Sequence, residues 1–208
     1  MYRKENFTSI IIHTMTNHIH RSLQEKEAEC KGLLRSTGRP GIEGLISHIE
    51  RMGYFMAPGS ENHHRFEGGL VSHSLETYKK AMELRERKIK SGVDASLMPQ
   101  ESVIIAALMH DICKADALRF NASTRKVYKV KNTNGHSARS VRQVGYSHFV
   151  LTKDEEDAIL WHMGGSHLPG NMKDHFKSHP LADIIYHADR KSIHEASQRH
   201  HSKHANRA

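Results

Sequence analysis

The pattern of apolar and polar residues is dominated by one segment that is apolar on almost every side. Eight mostly apolar residues, Ser102 to Met109, run directly into His110 and Asp111, and Lys114 follows one turn later. A helix that is apolar on most of its surface belongs inside a core. An imidazole and a carboxylate at its buried end are costly unless something pairs with them, and a divalent metal ion can bind both. The pattern therefore predicts a buried helix from Ser102 to Lys114 that carries part of a metal site.

Helical periodicity also predicts the elements around this segment. Apolar residues at 42, 45, 46 and 49 follow the i, i+3, i+4, i+7 spacing of an amphipathic helix that stops at Gly53. Thr152 and Glu155 form the capping box of another helix, which ends at Gly164-Gly165. Similar patterns predict one or two helices over residues 8–36, a helix from Leu70 to about Lys90, one that opens at His136, and a last one that opens at Pro180.

Two connections carry further structural signals. Segment 54–69 is long for a loop in a compact domain, and its aromatic and apolar residues favour an ordered loop. Residues 125–130 alternate weakly, and the turn sequence Asn132-Thr-Asn-Gly135 follows them. We expect an all-α fold with one short β-hairpin near 125–134. It divides into an N-terminal helical extension (1–40), a main domain (41–192) and a basic, His-rich, flexible tail (193–208).

The composition excludes several classes of protein. With 208 residues and 37% hydrophobic content, the chain can bury one core, and no apolar run approaches the roughly 20 residues that span a bilayer. Residues 1–12 lack the long apolar region and cleavage site of a signal peptide. Cys30 and Cys113 lie far apart in no metal-binding spacing, and so we expect a reduced, cytoplasmic setting without membrane association.

The charge is compatible with an anionic partner. The net charge of +8 permits attraction to nucleic acid, nucleotides or other phosphates. Half of that charge comes from residues 190–208, where five Lys and Arg residues face one Glu. Because basic, solvated chain ends are common, the tail by itself says little about a partner.

Position in the pattern selects the candidate metal ligands, because the 19 histidines cannot all belong to one site. His73 lies at i+3 from Leu70 on the inward face of its helix, and Asp189 falls four residues after Ile185. Each of the other candidates sits on a helix or helix end of its own, apart from the adjacent pair. In chain order the inward-placed donors are His73, His110, Asp111, His136, His162 and Asp189.

This order of donors resembles that of the HD-domain superfamily of metal-dependent phosphohydrolases. The resemblance covers about residues 42–192 and is closest to a compact bacterial and phage branch related to exoribonuclease-type HD domains. Its motifs are Phe55-Met-Ala-Pro-Gly-Ser60, His64, Gly68-Gly-Leu70 with His73-Ser-Leu75, His110-Asp-Ile-Cys-Lys114, Gly135-His136, Trp161-His-Met-Gly164 and His187-Ala-Asp189. Cys113 is a departure, since many relatives carry Gly there, and we interpret it as a buried thiol without a ligand role.

The resemblance implies a helical bundle and a metal site. His73, His110, Asp111 and Asp189 would hold one ion, and His136 and His162 a second, with Asp111 bridging. Two ions about 3.5–4 Å apart can clamp a phosphoryl group and activate a water molecule as the nucleophile. Lys114 would neutralise phosphate charge, and His64 would contact the substrate or orient water. Imidazole and carboxylate donors suit Mn²⁺, Fe²⁺, Co²⁺, Ni²⁺ or Zn²⁺.

Other interpretations stay open at this point. The donors could form a hydrogen-bonded polar cluster, His162 could meet a helix dipole, and Lys114 could be a solvated helix end. The expected activity is hydrolysis of a phosphoester or phosphoanhydride in a phosphorylated small molecule or nucleotide. The alternatives are a 3′–5′ exoribonuclease, a diiron oxygenase of the HD fold, and a non-catalytic, metal-stabilised binding module. The residues before the loop show no strand pattern of the kind that holds RNA in an OB fold.

Overall fold

The apolar helix predicted from the sequence is the centre of the structure, a computed structural model that describes residues 21–132, 134–164 and 172–205. The helices and strands, in chain order, are α1 (Leu23–Ser36), α2 (Ile42–Arg51), α3 (Gly69–Lys90), a 3-10 turn (Ala95–Leu97), α4 (Gln100–Met109), α5 (Lys114–Ala117), β1 (Leu118–Asn121), β2 (Lys126–Lys129), α6 (His136–Tyr146), α7 (Lys153–Trp161), α8 (Met172–Ser178) and α9 (Pro180–Ala205).

Helix α4 is buried because its neighbours surround it. Every residue from Ser102 to Met109 is buried, and α4 packs against α1, α3, α6, α7 and α9. Helix α9 also lies along α3 and α7, so the three helices form a layer around the central one. This arrangement confirms the predicted all-α helical bundle. None of the helices in the described residues is long and apolar enough to cross a membrane.

The central helix ends earlier than its apolar pattern predicts. We predicted a helix through Lys114, whereas α4 ends at Met109 and His110 caps it. The backbone then tightens into turns, with Ile112 N–H donating to Met109 O at 3.2 Å and Lys114 N–H donating to Asp111 O at 2.9 Å. The His110-Asp111 pair therefore lies in the turn between α4 and α5, where its side chains can point away from the helix axis.

The loop over residues 54–69 is ordered by backbone contacts, as its composition suggested. Leu70 N–H donates to Ala57 O at 2.9 Å, and Gly59 N–H donates to His64 O at 3.0 Å. A Cβ atom at Gly69 would lie 1.9 Å from His64 O, so only glycine fits there. This close approach fixes the loop against the start of α3, the helix that carries His73.

The predicted hairpin is present, but its turn lies elsewhere. Strands β1 and β2 pair antiparallel, with Leu118 opposite Lys129 and Asn121 opposite Lys126. The predicted alternation at 125–130 is thus the second strand. Residues 122–125 form the turn, and Asn132-Thr-Asn-Gly135 leads instead into α6, whose N-cap is Gly135. The first strand, Leu118-Arg-Phe-Asn121, has too few residues to show a clear period of two.

A buried ion pair connects the first helices to α7. Glu155 is fully buried, and its carboxylate accepts hydrogen bonds from Arg39 Nη1 at 2.6 Å and Ser102 Oγ at 2.8 Å. The same carboxylate accepts the Thr152 N–H at 2.9 Å, which completes the predicted capping box. Because the candidate ligand His162 is the C-cap of α7, this network sets the position of one side of the site.

The two ends of the chain extend the bundle. Helix α1 begins with a capping box of Ser22 and Glu25 and packs on α3 and α4, as part of the predicted N-terminal extension. The remainder of that extension, residues 1–20, lies outside the described residues. Helix α9 opens at Pro180 as predicted and continues to Ala205. The division into three regions stays a prediction.

Candidate metal centre

The turn after α4 places His110 and Asp111 side by side in the interior. Their exposed fractions are 0% and 2%. His110 Nδ1–H donates to Ala107 O at 2.9 Å, one turn back on its own helix. This hydrogen bond fixes the neutral tautomer of the ring, and therefore leaves a lone pair on Nε2.

Helices α3 and α9 bring two further donors to this pair. His73 Nε2 lies 3.2 Å from His110 Nε2, 3.0 Å from Asp189 Oδ1 and 3.6 Å from Asp111 Oδ2. His73 is fully buried, and Asp189 is 2% exposed. Atoms of His73, His110 and Asp189 that could bind a metal all lie within 4.8 Å of one another, which is compact enough for one ion.

The remaining two predicted donors form a second pair on the other side of Asp111. His136, in the first turn of α6, and His162, the C-cap of α7, approach through their Nε2 atoms at 3.2 Å. Each Nε2 lies 3.6 Å from Asp111 Oδ1. His162 Nδ1–H donates to Ile159 O at 2.6 Å, so Nε2 is the ring nitrogen that is left for a metal. The structure therefore brings all six predicted donors together.

The donor set fits a cation better than it fits a closed hydrogen-bonded cluster. Asp111 Oδ1 and Asp189 Oδ1 are buried and accept no hydrogen bond within the described part of the chain. Imidazole nitrogens of His73, His110, His136 and His162 converge on the same space as these oxygens. Buried charged oxygens without donors are costly, and a divalent ion compensates for them while binding nitrogen and oxygen donors alike. The site could therefore hold a divalent metal.

Comparison with known protein families agrees with this geometry. The family model described as HD domain matches residues 70–193, which is more than half of the chain and includes all six donors. The chain belongs to the HD domain family. No curated protein and no solved structure matches it. HD domains are in general metal-dependent and of the phosphohydrolase type, and the helical fold predicted from the sequence is that of this family.

The six donors together form the HD site, which consists of His73, His110, Asp111, His136, His162 and Asp189. Burial and nearby charges shift the pKa values of several of them. Burial by itself would lower the pKa of His73, but contacts with Asp111 and Asp189 raise it to about 9. Burial lowers the pKa of His136 to about 4 and also lowers the pKa of His110. The carboxyl of Asp111 is buried, yet Lys114 and His110 hold its pKa well below the usual value. At neutral pH, the carboxyl of Asp111 is therefore ionised and the imidazole of His73 is protonated.

Lys114 forms an ion pair with Asp111 and is not a solvated helix end. Its Nζ lies 2.6 Å from Asp111 Oδ2, and its side chain is 14% exposed. Burial opposes its charge, but Asp111 raises the pKa of Lys114 above its usual value, so the ammonium group persists. This ion pair holds Asp111 in one orientation, with Oδ2 toward His73 and His110 and Oδ1 toward His136 and His162.

His64, predicted to contact the substrate or orient water, lies beside the first half of the site, which is formed by His73, His110 and Asp189. It is 7% exposed, its ring centroid lies 5.2 Å from that of His73, and its Nε2 lies 3.3 Å from Glu76 Oε2. Its neighbour His63 was not predicted, yet its ring centroid lies 5.0 Å from that of His73. His63 Nδ1 lies 3.1 Å from His64 Nδ1. The adjacency of the two histidines in the motif was the available signal for His63.

Ser192 is a second residue that sequence reasoning missed. Its Oγ lies 3.2 Å from His73 Nδ1, and the residue is fully buried. The signal was its spacing, because Ser192 follows Asp189 by three positions and therefore shares its helix face. Cys113, by contrast, is a buried free thiol whose Sγ lies 3.2 Å from His136 O. Burial raises its pKa to about 11, so it stays a thiol at neutral pH.

Proposed function

We propose that this chain hydrolyses a phosphoester or phosphoanhydride, using divalent ions held by the six donors of the HD site. Membership of the HD domain family supports the reaction class. The observation that carries the proposal is the position of Asp111, whose two oxygens face two separate histidine pairs. A carboxylate can give one oxygen to each of two ions, whereas an imidazole presents a single lone pair to the site.

In this proposal the donors divide into two sets that share Asp111. His73, His110 and Asp189 would hold one ion with Asp111 Oδ2, and His136 and His162 would hold the other with Asp111 Oδ1. Bound divalent ions polarise phosphoryl oxygens and lower the pKa of a water molecule, so that it can attack phosphorus near neutral pH. The donor types suit Mn²⁺, Fe²⁺, Co²⁺, Ni²⁺ or Zn²⁺.

Neighbouring groups hold the proposed ligands in the orientation and the charge state that metal binding requires. Backbone carbonyls of Ala107 and Ile159 hold His110 and His162 in the tautomer that can bind a metal. Lys114 keeps Asp111 ionised and oriented, and its remaining N–H groups could donate to a phosphate oxygen. The buried surroundings of His73 and Asp189 exclude bulk water from the first half of the site.

The second half of the site is the more accessible one. The side chain of His136 is 19% exposed, whereas those of His73 and His110 are fully buried. We infer that a phosphate group approaches beside His136 and Lys114, with His64 as a further contact or water-orienting residue. A nucleotide or a related phosphorylated molecule suits a site of this charge.

Metal analysis of the purified protein, followed by a Mn²⁺-supplemented screen of nucleotides, generic phosphoesters and short RNAs, tests the proposal. Asp111→Asn should abolish turnover, and His187→Gln is the matched control, because the His187 side chain is 57% exposed and pairs with Asp183. Turnover of any of these phosphate compounds by the wild-type protein supports hydrolysis. Bound metal with no turnover would contradict it in favour of a binding module, and O₂-dependent oxidation would favour an oxygenase.

A further inference from the structure

A strongly basic surface lies beside the HD site and is not needed to bind metal. Residues 117–146 contain seven Lys and Arg residues and no Asp or Glu, in a chain whose net charge is +8. These residues comprise the two-stranded hairpin and helix α6. Most of the hairpin is exposed, including Arg119, Arg125, Lys126 and Lys129. Lys129 pairs with Glu61 at 2.7 Å, and Arg119, Arg125 and Lys126 have no ion pair among the described residues, so the hairpin is an exposed ribbon with an excess of positive charge.

A groove lies between α6 and the residues that flank the hairpin, Asp116 before it and Lys131 after it. It has a volume of about 280 Å³ and is lined by Asp116, Lys131, Arg139, Arg142, Gln143 and Tyr146. Asp116 lies 2.8 Å from Lys131 and 3.1 Å from Arg139, so one carboxylate holds cations from both walls. Arg142 is exposed and has no ion pair among the described residues. The groove therefore keeps an excess of positive charge.

Two exposed tyrosine rings accompany these cations, one on the hairpin and one lining the groove. Tyr128 on β2 is 49% exposed, and Tyr146 at the end of α6 is 61% exposed. Exposed tyrosine rings beside a basic groove are typical of surfaces that bind single strands, because unpaired bases stack on the rings while cations contact the phosphates. A mononucleotide would need only one such ring and one or two cations.

We propose that the ribbon surface, defined as the hairpin 118–129 and the groove between Asp116 and Tyr146, binds a single-stranded nucleic acid. Its cations come from two separate elements, the hairpin and α6, and a polyanion whose charges repeat along a backbone can contact both. The surface begins a few residues after Lys114, and α6 contributes both His136 and the groove residue Arg139. The surface is therefore adjacent to the HD site, although binding to it does not require the proposed hydrolysis.

Fluorescence anisotropy with labelled single strands of about 15 nucleotides, one RNA and one DNA, tests this inference on the full chain. The charge-reversal variant is Lys126→Glu with Arg142→Glu, since both side chains are exposed and have no ion pair among the described residues. Its matched control is Arg87→Glu with Lys90→Glu, at the end of α3 that lies about 25 Å from His73 along the helix. Both variants change the net charge equally.

We expect the wild-type and control proteins to bind, and the charge-reversal variant to bind at least about tenfold more weakly. Removing the rings in Tyr128→Ala with Tyr146→Ala should weaken binding about five- to tenfold without changing the net charge. Affinity should fall more than about tenfold between roughly 50 and 200 mM salt. Tighter binding of the RNA strand or of the DNA strand identifies which of the two nucleic acids is the ligand.

Three results would overturn the inference. They are equal binding by the charge-reversal and control variants, binding of nucleoside monophosphates as tight as that of the strands, and preferential binding to vesicles of anionic lipid. Hydrolysis of a generic phosphodiester, measured in parallel, should be unchanged in the charge-reversal variant. If the protein binds strands but hydrolyses nothing, the proposed hydrolysis fails and the ribbon surface stands.

Discussion

His73 Nε2 and Asp189 Oδ1 lie 3.0 Å apart, yet their contact lacks the geometry of a hydrogen bond. Both atoms are buried, and each is also within 3.7 Å of His110 Nε2. Three atoms of the kind that bind metals therefore crowd one small buried space. A divalent cation in that space would bind all three and would take the place of the proton on His73.

The first prediction concerns the division of donors between two ions. His162→Gln should lower the metal content toward one ion per chain, because it removes a donor from the second set only. Asp111→Asn should lose most of both metal ions, because Asp111 belongs to both sets of donors. The measurement is elemental analysis after dialysis, with His187→Gln as the control that keeps the wild-type content. Equal losses in the His162 and Asp111 variants would argue for a single ion.

The second prediction concerns Ser192, which contacts the ring of His73 but is not one of the six proposed metal ligands. Ser192→Ala should weaken metal affinity roughly 10- to 100-fold, because an outer partner orients the ring of a ligating histidine. Ser197→Ala is the control on the same helix, where Oγ donates to Ile193 O. Titration of a competing chromophoric chelator measures both affinities. An unchanged affinity in Ser192→Ala would mean that packing alone orients His73.

The third prediction follows from the pKa of His73, which is about 9 in the metal-free protein. At pH 7.5 this imidazole is protonated, so a metal ion must displace its proton on binding. Metal affinity should therefore rise about tenfold per pH unit up to about pH 9 and level off above it. His136, with a pKa of about 4, is already neutral and releases nothing.

Calorimetry in two buffers of different ionisation enthalpy measures the released proton directly. We expect close to one proton per first ion at pH 7.5, and almost none in His73→Gln. Binding without proton release in the wild-type protein would show that His73 is neutral before the metal arrives.

The fourth prediction concerns the stability of the scaffold. Arg39→Ala leaves the fully buried carboxylate of Glu155 without its cation, and should cost about 2–4 kcal/mol of unfolding free energy. For a chain of this size, that corresponds to a fall in Tm of about 4–16 °C. Arg35→Ala is the control, because the Arg35–Glu43 pair is exposed and solvent screens it. Similar Tm values for the two variants would contradict the importance of the buried network.

Much of this site was predictable because helical spacing determines which side chains face inward. The position of His73 after Leu70 and of Asp189 after Ile185 was enough to place two donors that lie far apart in sequence. The end of α4 at Met109 was not predictable in this way. The apolar pattern continues through Ile112, and the turn there depends on the buried contacts of His110 and Asp111.

Contacts between distant segments account for what the sequence did not reveal. Ser192 and His63 matter only because α3 brings His73 to them. The pairing of Arg39 with Glu155 joins the predicted N-terminal extension to the main domain, and neither residue marks its partner in the sequence. The seven Lys and Arg residues of 117–146 can be counted in the sequence, but only the fold brings Lys131 and Arg139 together, through their shared contact with Asp116.

Anomalous X-ray diffraction from Mn²⁺-loaded crystals of the full chain tests most directly whether the six donors hold metal ions. We predict one peak bounded by His73, His110, Asp111 and Asp189, and a second bounded by Asp111, His136 and His162. The absence of any peak at Asp111, or a peak elsewhere on the chain alone, would contradict a metal centre at the HD site.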